Sequence, residues 1–249
     1  MTGFGSVIVN GVAYATQDAE VFIENVSAGS GGDVLVRSLS AGMVVRVEGV
    51  LSADGNSTAN RVFFNSDLKG PVESLAELDP FSLQMVILGQ NVVLNPFCVY
   101  QNTSAADLSI GMVLEVSGYS DESGQIQATY VQKITDVLPP NGAVKLRGLV
   151  QSVDAQARTY TVNALTVDFS SADLSGLPGG TPQVGQLLEV SGSLAAPDRL
   201  IAERAAYASI LITSVSAVLP GIEISDGFAN RSTPAPITIA TDTPRLCTS

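Results

Sequence analysis

Residues 42–49, GMVVRVEG, alternate apolar and polar side chains with the two-residue period of a β-strand. Met43, Val45 and Val47 fall on one face, Arg46 and Glu48 on the other. The pattern returns as GMVLEVSG at 111–118 and GQLLEVSG at 185–192. There Met112, Leu114 and Val116, and then Gln186, Leu188 and Val190, share the face of Met43, while Glu115, Ser117, Glu189 and Ser191 take the other. The predicted strand is buried on one face and wet on the other. A turn-rich stretch follows each second glycine (SADGNST, SDESGQI, LAAPDRL) and leads to another apolar segment, which predicts a β-hairpin in every copy.

Gly42, Gly111 and Gly185 are spaced by 69 and 74 residues, and both Gly49, Gly118, Gly192 and Ala59, Ala128, Ala202 keep those two intervals. Three landmarks with common offsets define three tandem copies of one unit. Upstream of the glycine strand, copy 3 reads LRGLVQSVDAQARTYTVNALTVDF, a strand, a polar turn and a second strand. Copy 2 has LKGPVESLAELDPFSLQMVILGQNVVL in that place. Five short strands per copy result. Helical signal is confined to single turns in SSADLSGL and TSAADLSI, between strands three and four. The pattern predicts an all-β chain of three tandem small antiparallel OB-like barrels plus an extended C-terminal β tail, with a sandwich as the alternative. The boundaries are 1–67 for copy 1, 68–144 for copy 2, 145–212 for copy 3 and 213–249 for the extension.

The ends of the chain do not match these copies. Aligning IVNGVAY (8–14) with TVNALTV (161–167) leaves nothing in copy 1 to correspond to Gly148 and Val150, which precede Ala164 by 16 and 14 residues. Copy 1 is therefore predicted to lack its opening strand, with Val7, Val9 and Val12 at a receiving edge. After copy 3 comes a Pro-punctuated stretch, STPAPITIATDTPRLC, whose Ile237, Thr238, Ile239 and Ala240 form a β-prone piece. Three readings stand side by side: an unanchored tail, a tail folded back on its own chain, and a strand donated to the next molecule.

Composition narrows the function classes. The chain has 249 residues, 45% hydrophobic and 14% charged, enough to bury a sizeable core. Its apolar runs, such as ASILITSV and MVILGQNVVL, are too short for a membrane-spanning helix, which needs roughly 18 residues. MTGFGS has no basic start and no apolar stretch of a leader, so an exported protein would be in its mature form. A net charge of −12 with no basic run argues against nucleic acid as a partner. There is no histidine, the two cysteines are 149 residues apart, and ADGN, DESG and SDGF fall short of a calcium loop and read as turns. No catalytic residue, metal site or cofactor is expected. The sequons at Asn25, Asn56, Asn102 and Asn230 are of a kind that arises by chance in such a composition.

The phrase GFGSVIVNGVAY, followed by LSAGMVVRVEG and STANRV, resembles the tandem-repeat domain of unknown function found in bacterial envelope proteins and lipoproteins, whose units are OB-like barrels. The resemblance spans residues 3 to about 210 and departs in copy 2, which has ILGQNV where the others have VNG or VNA. It implies an exported, extracellular or envelope location and transfers no catalytic residue. In that setting Cys98 and Cys247 are expected to be oxidised, within one chain or between two. A loop of this length adds on the order of 3 to 5 kcal/mol in the chain-entropy model. Two functions follow: a non-enzymatic structural or assembly protein, self-associating head to tail by strand complementation, and an envelope module that binds a polysaccharide or protein.

Overall fold

The computed structural model describes residues 6–9, 12–50, 57–121, 124–177, 179–208 and 213–214. In copy 1 the strands are β1 Ser6–Val9, β2 Val12–Ala15, β3 Glu20–Ile23, β4 Val26–Ser30, β5 Val44–Val50 and β6 Ser57–Phe64, with helix α1 at Gly32–Ser38. Copy 2 has β7 Leu68–Asp79, β8 Ser82–Ile87, β9 Gln90–Gln101, β10 Val113–Ser120 and β11 Ile126–Thr135. Copy 3 has β12 Ala143–Leu149, β13 Ser152–Asp154, β14 Thr159–Val162, β15 Leu165–Asp168, β16 Asp173–Gly176, β17 Leu187–Ala196 and β18 Arg199–Tyr207. A last strand, β19, is Thr213–Ser214. The chain is all-β and divides into two compact units, Met1–Asn65 with Leu211–Ser249, and Ser66–Ile210.

The repeated glycines have two distinct jobs. Gly42, Gly111 and Gly185 open the shared strand with φ of 85°, 90° and 83°, a left-handed turn that a side chain disfavours. Gly49, Gly118 and Gly192 lie where the hairpin register shifts, against Ala59, Ala128 and Ala202. There a Cβ would sit 2.1, 2.2 and 2.0 Å from a backbone oxygen of the partner strand. The spacing of the motif thus records a turn at one end and a close strand crossing at the other. Between them Met43, Val45, Val47, Met112, Leu114, Val116, Leu188 and Val190 are all buried, as the alternation requires.

In the second unit, copy 2 closes on itself. β7 pairs β8, β8 pairs β9, β9 runs parallel to β11, β11 pairs β10, and β10 returns to β7. The strand order 1-2-3-5-4-1 and the parallel 3–5 pair are those of an OB barrel. Copy 3 uses the same order, with its first strand divided: β12 pairs β17, and β13 pairs β14. Copies 2 and 3 also share one 12-stranded sheet and one hydrophobic core cluster. In the first unit, β1, β2, β6, β3 and β4 follow one another, and β5 lies between β6 and β19.

Three local expectations need correction. SSADLSGL contains strand β16, parallel to β18, because its backbone pairs with the sheet rather than with itself. TSAADLSI does hold a 3-10 turn, at Ala105–Asp107. Helical signal was expected only in those two stretches, yet Gly32–Ser38 forms a helix that buries Leu35, since tertiary burial outweighs the low helix propensity of valine. Finally, the outer face of the shared strand is not uniformly wet. Ser117 is fully buried, beside Gly118, whose N–H donates to the buried carboxylate of Asp67.

Candidate functional site

The chemistry of this molecule is concentrated at strand edges. First-strand residues of copies 2 and 3 pair with each other: Leu68 lies opposite Leu146 and Lys69 opposite Lys145, antiparallel. Asp67 is drawn into this seam. Its N–H donates to Val116 O at 2.9 Å, its carbonyl accepts from Arg147 N at 2.8 Å, and its carboxylate accepts from Gly118 N and Arg147 Nη1, both at 3.0 Å. Burial pushes the Asp67 carboxyl up, while the Arg147 guanidinium and the Gly118 N–H pull it back. Lys145, also buried, reaches Glu189 at 3.4 Å. A second contact lies at the turns after strand two. Gln90 donates to Leu88 O and Val162 O and accepts from Asn163 Nδ2. By register Ile87-Leu88-Gly89 takes the place of Val162-Asn163-Ala164, and Gln90, in the place of Leu165, is the residue through which this turn of copy 2 bonds to copy 3.

In copy 1 the corresponding edge is filled differently. Thr213 lies opposite Val45 and Ser214 opposite Val44. Those are the places that Gly70 and Pro71 take beside Leu114 and Val113, and that Gly148 and Leu149 take beside Leu188 and Leu187. β1, which carries Val7 and Val9, has one strand neighbour among the described residues, β2, which begins at Val12.

Two exposed aromatics stand apart from these edges. Asp79-Pro80-Phe81 turns from β7 into β8, and Asn95-Pro96-Phe97 lies within β9 where its pairing with β11 shifts register; in both the side-chain oxygen, of Asp79 or Asn95, accepts from the N–H of Phe81 or Phe97, at 2.7 and 2.8 Å. The two rings are 79% and 82% exposed. A depression of about 290 Å³ in copy 3 is lined by Val153, Phe169, Leu174 and Pro182, with Arg158 its one ionisable lining group. Among the described residues no group of three or more Cys, Asp or Glu side chains is arranged to hold a metal ion.

A family model described as Domain of unknown function (DUF5666) matches residues 1–62, 69–132 and 147–205, most of the chain. The protein belongs to this family. The second and third DUF5666 matches begin directly after Leu68 and Leu146, the residues that pair at the seam. No curated protein matches the chain.

Of the residues singled out from the sequence, Ile237, Thr238, Ile239, Ala240 and Cys247 lie outside the described residues. Cys98 is a buried free thiol on β9. Burial pushes it up to about 12, so little thiolate exists at neutral pH. Alkylation of Cys98 in the folded protein at pH 8 is expected to be slow and to become fast in urea, read by mass spectrometry. The denatured, unreduced protein also tests pairing, since two labelled thiols remove the Cys98–Cys247 bond. Sequence reasoning missed the Asp67–Arg147 pair and the pairing of Thr213–Ser214. For the former no local signal exists, because the partners are 80 residues apart and each reads as an ordinary strand charge.

Proposed function

We propose that this DUF5666 protein is a non-enzymatic structural or assembly protein of the cell envelope or exterior, whose repeats join through the edges of their first strands. The observation that carries this reading is the copy 2–copy 3 seam. There one repeat is bonded to the next by backbone pairing and a buried ion pair, a durable way of joining modules and one with no evident use in catalysis. The envelope or exterior location rests on the resemblance of the GFGSVIVNGVAY and LSAGMVVRVEG motifs to exported repeats. Head-to-tail association extends the same principle between molecules, through β1, the outer strand of copy 1 that carries Val7 and Val9; a heterologous contact that does not close gives an open filament. Negative-stain electron microscopy of the purified protein over a concentration series tests it. Chains or filaments are expected, and dispersed particles at every concentration count against assembly.

A second reading, an envelope binding module, is favoured by Phe81 and Phe97. Their rings are the most exposed of the large hydrophobic side chains among the described residues. On this reading Phe81→Ser with Phe97→Ser is expected to abolish retention on an insoluble polysaccharide without changing the melting temperature. If the parent protein is not retained either, the polysaccharide reading fails.

A further inference from the structure

We infer that residues 211–217 are the displaced first strand of copy 1, so that the first barrel is completed by the stretch of chain that follows the third. This goes beyond the assembly reading and holds whether or not filaments form. Three observations carry it.

The first is register. Thr213 and Ser214 meet Val45 and Val44 antiparallel, and the first strands of copies 2 and 3 meet the equivalent residues of their glycine strands in the same direction with the same offset. The second is sequence. Once that register is fixed, LITSVSA at 211–217 aligns without a gap to LKGPVES at 68–74 and LRGLVQS at 146–152. Leucine and valine keep their positions, as Leu68 and Val72, Leu146 and Val150, and Leu211 and Val215. The third is demand. In copy 2 Val72 N donates to Met112 O and Gly111 N donates to Val72 O; in copy 3 Val150 N donates to Gln186 O and Gly185 N donates to Val150 O. The alignment gives Val215 that role toward Met43 and Gly42. One position departs from the pattern. Gly70 and Gly148 sit where a Cβ would come within 2.8 Å of Leu88 Cγ and 2.3 Å of Val162 Cγ1, whereas copy 1 has Thr213.

The groove beside β5 therefore fits an extended segment of pattern L-x-x-x-V-x-[SA], and the occupant is the chain's own 211–217. Completion in this way places Thr213–Ser214 in one folding unit with copy 1.

Hydrogen exchange of residues 42–46, read by mass spectrometry on the full chain, tests the assignment. Leu211→Asp with Val215→Asp is expected to raise exchange across 42–46 at least tenfold while residues 111–116 stay protected. Ile237→Asp with Ile239→Asp is expected to leave both segments unchanged. A rearranged chain, ending at residue 208 and carrying 209–217 ahead of Met1 on a flexible Gly/Ser linker, is expected to restore protection that simple truncation at 208 removes. A scrambled 209–217 in the same position should not. Two results overturn the inference: protection of 42–46 that survives Leu211→Asp with Val215→Asp but is lost with Ile237→Asp and Ile239→Asp, or a rearranged chain no better protected than the truncated one. Concentration dependence separates the source of the strand. Protection in the parent that is the same at 1 and 100 μM, on the order of a hundredfold range, supports the chain's own segment; protection lost on dilution assigns the strand to a second copy and overturns the intramolecular form.

Discussion

Gly118→Ala is expected to cost about 3 kcal/mol, the upper end of what forcing an extra methyl into a packed interior costs. The new Cβ would stand 2.2 Å from the backbone oxygen of Gln127, with Ala128 Cα at 2.9 Å. Backbone cannot rotate away as a side chain can, so β10 and β11 must separate where their register already shifts. The same shift takes Gly118 N–H to the Asp67 carboxylate, so strand separation also weakens the seam. Gly111→Ala is the matched comparison. Gly111 has a φ of 90°, but a Cβ there would meet nothing within 4 Å, so only conformational strain is added, about 1 kcal/mol. Urea unfolding followed by circular dichroism ranks the two. Equal midpoints for the variants would show that the crossing, rather than being fixed by sterics, has room to relax.

Arg147→Met is expected to lose about 3 to 5 kcal/mol at pH 7, because it strands a buried carboxylate beside the seam. The sign of the pH dependence follows from the Asp67 carboxyl. Burial already raises it in the folded protein, and loss of the guanidinium raises it further, whereas in the unfolded chain it titrates near the ordinary aspartate value of about 3.9. A carboxyl raised in the folded state stabilises folding below its unfolded value, and that contribution is lost as pH rises through the folded value. The deficit of the variant relative to the parent is therefore largest at neutral pH and narrows toward pH 4. Adding Asp67→Asn removes the stranded charge and is expected to recover much of the loss at pH 7 while leaving pH 4 little changed. Unfolding midpoints at the two pH values read both effects; a deficit that widens on acidification contradicts the assignment of Asp67 as the buried acid.

How far the sequence carries can be traced through these residues. Alternation in GMVVRVEG and its two relatives marked the face that enters the core, because a strand's side-chain period is a property of the backbone alone; that Val44, Val113 and Ser117 on the other face are buried as well was decided by tertiary packing. The shared 69- and 74-residue offsets determined the number of copies, which the three family matches repeat. The glycines were legible as landmarks, but their separate roles were not, since a left-handed φ and a close strand crossing leave the same letter in the sequence. Tertiary structure alone decided which edges meet. Leu68 opposite Leu146, Asp67 on Arg147, and Thr213–Ser214 beside Val45 and Val44 join residues far apart in the chain. Backbone hydrogen bonds along an edge accept almost any side chain, so pairing leaves little imprint on composition. What selects one edge over another is register, burial and the placement of single charges, and these exist only once the strands have been brought together.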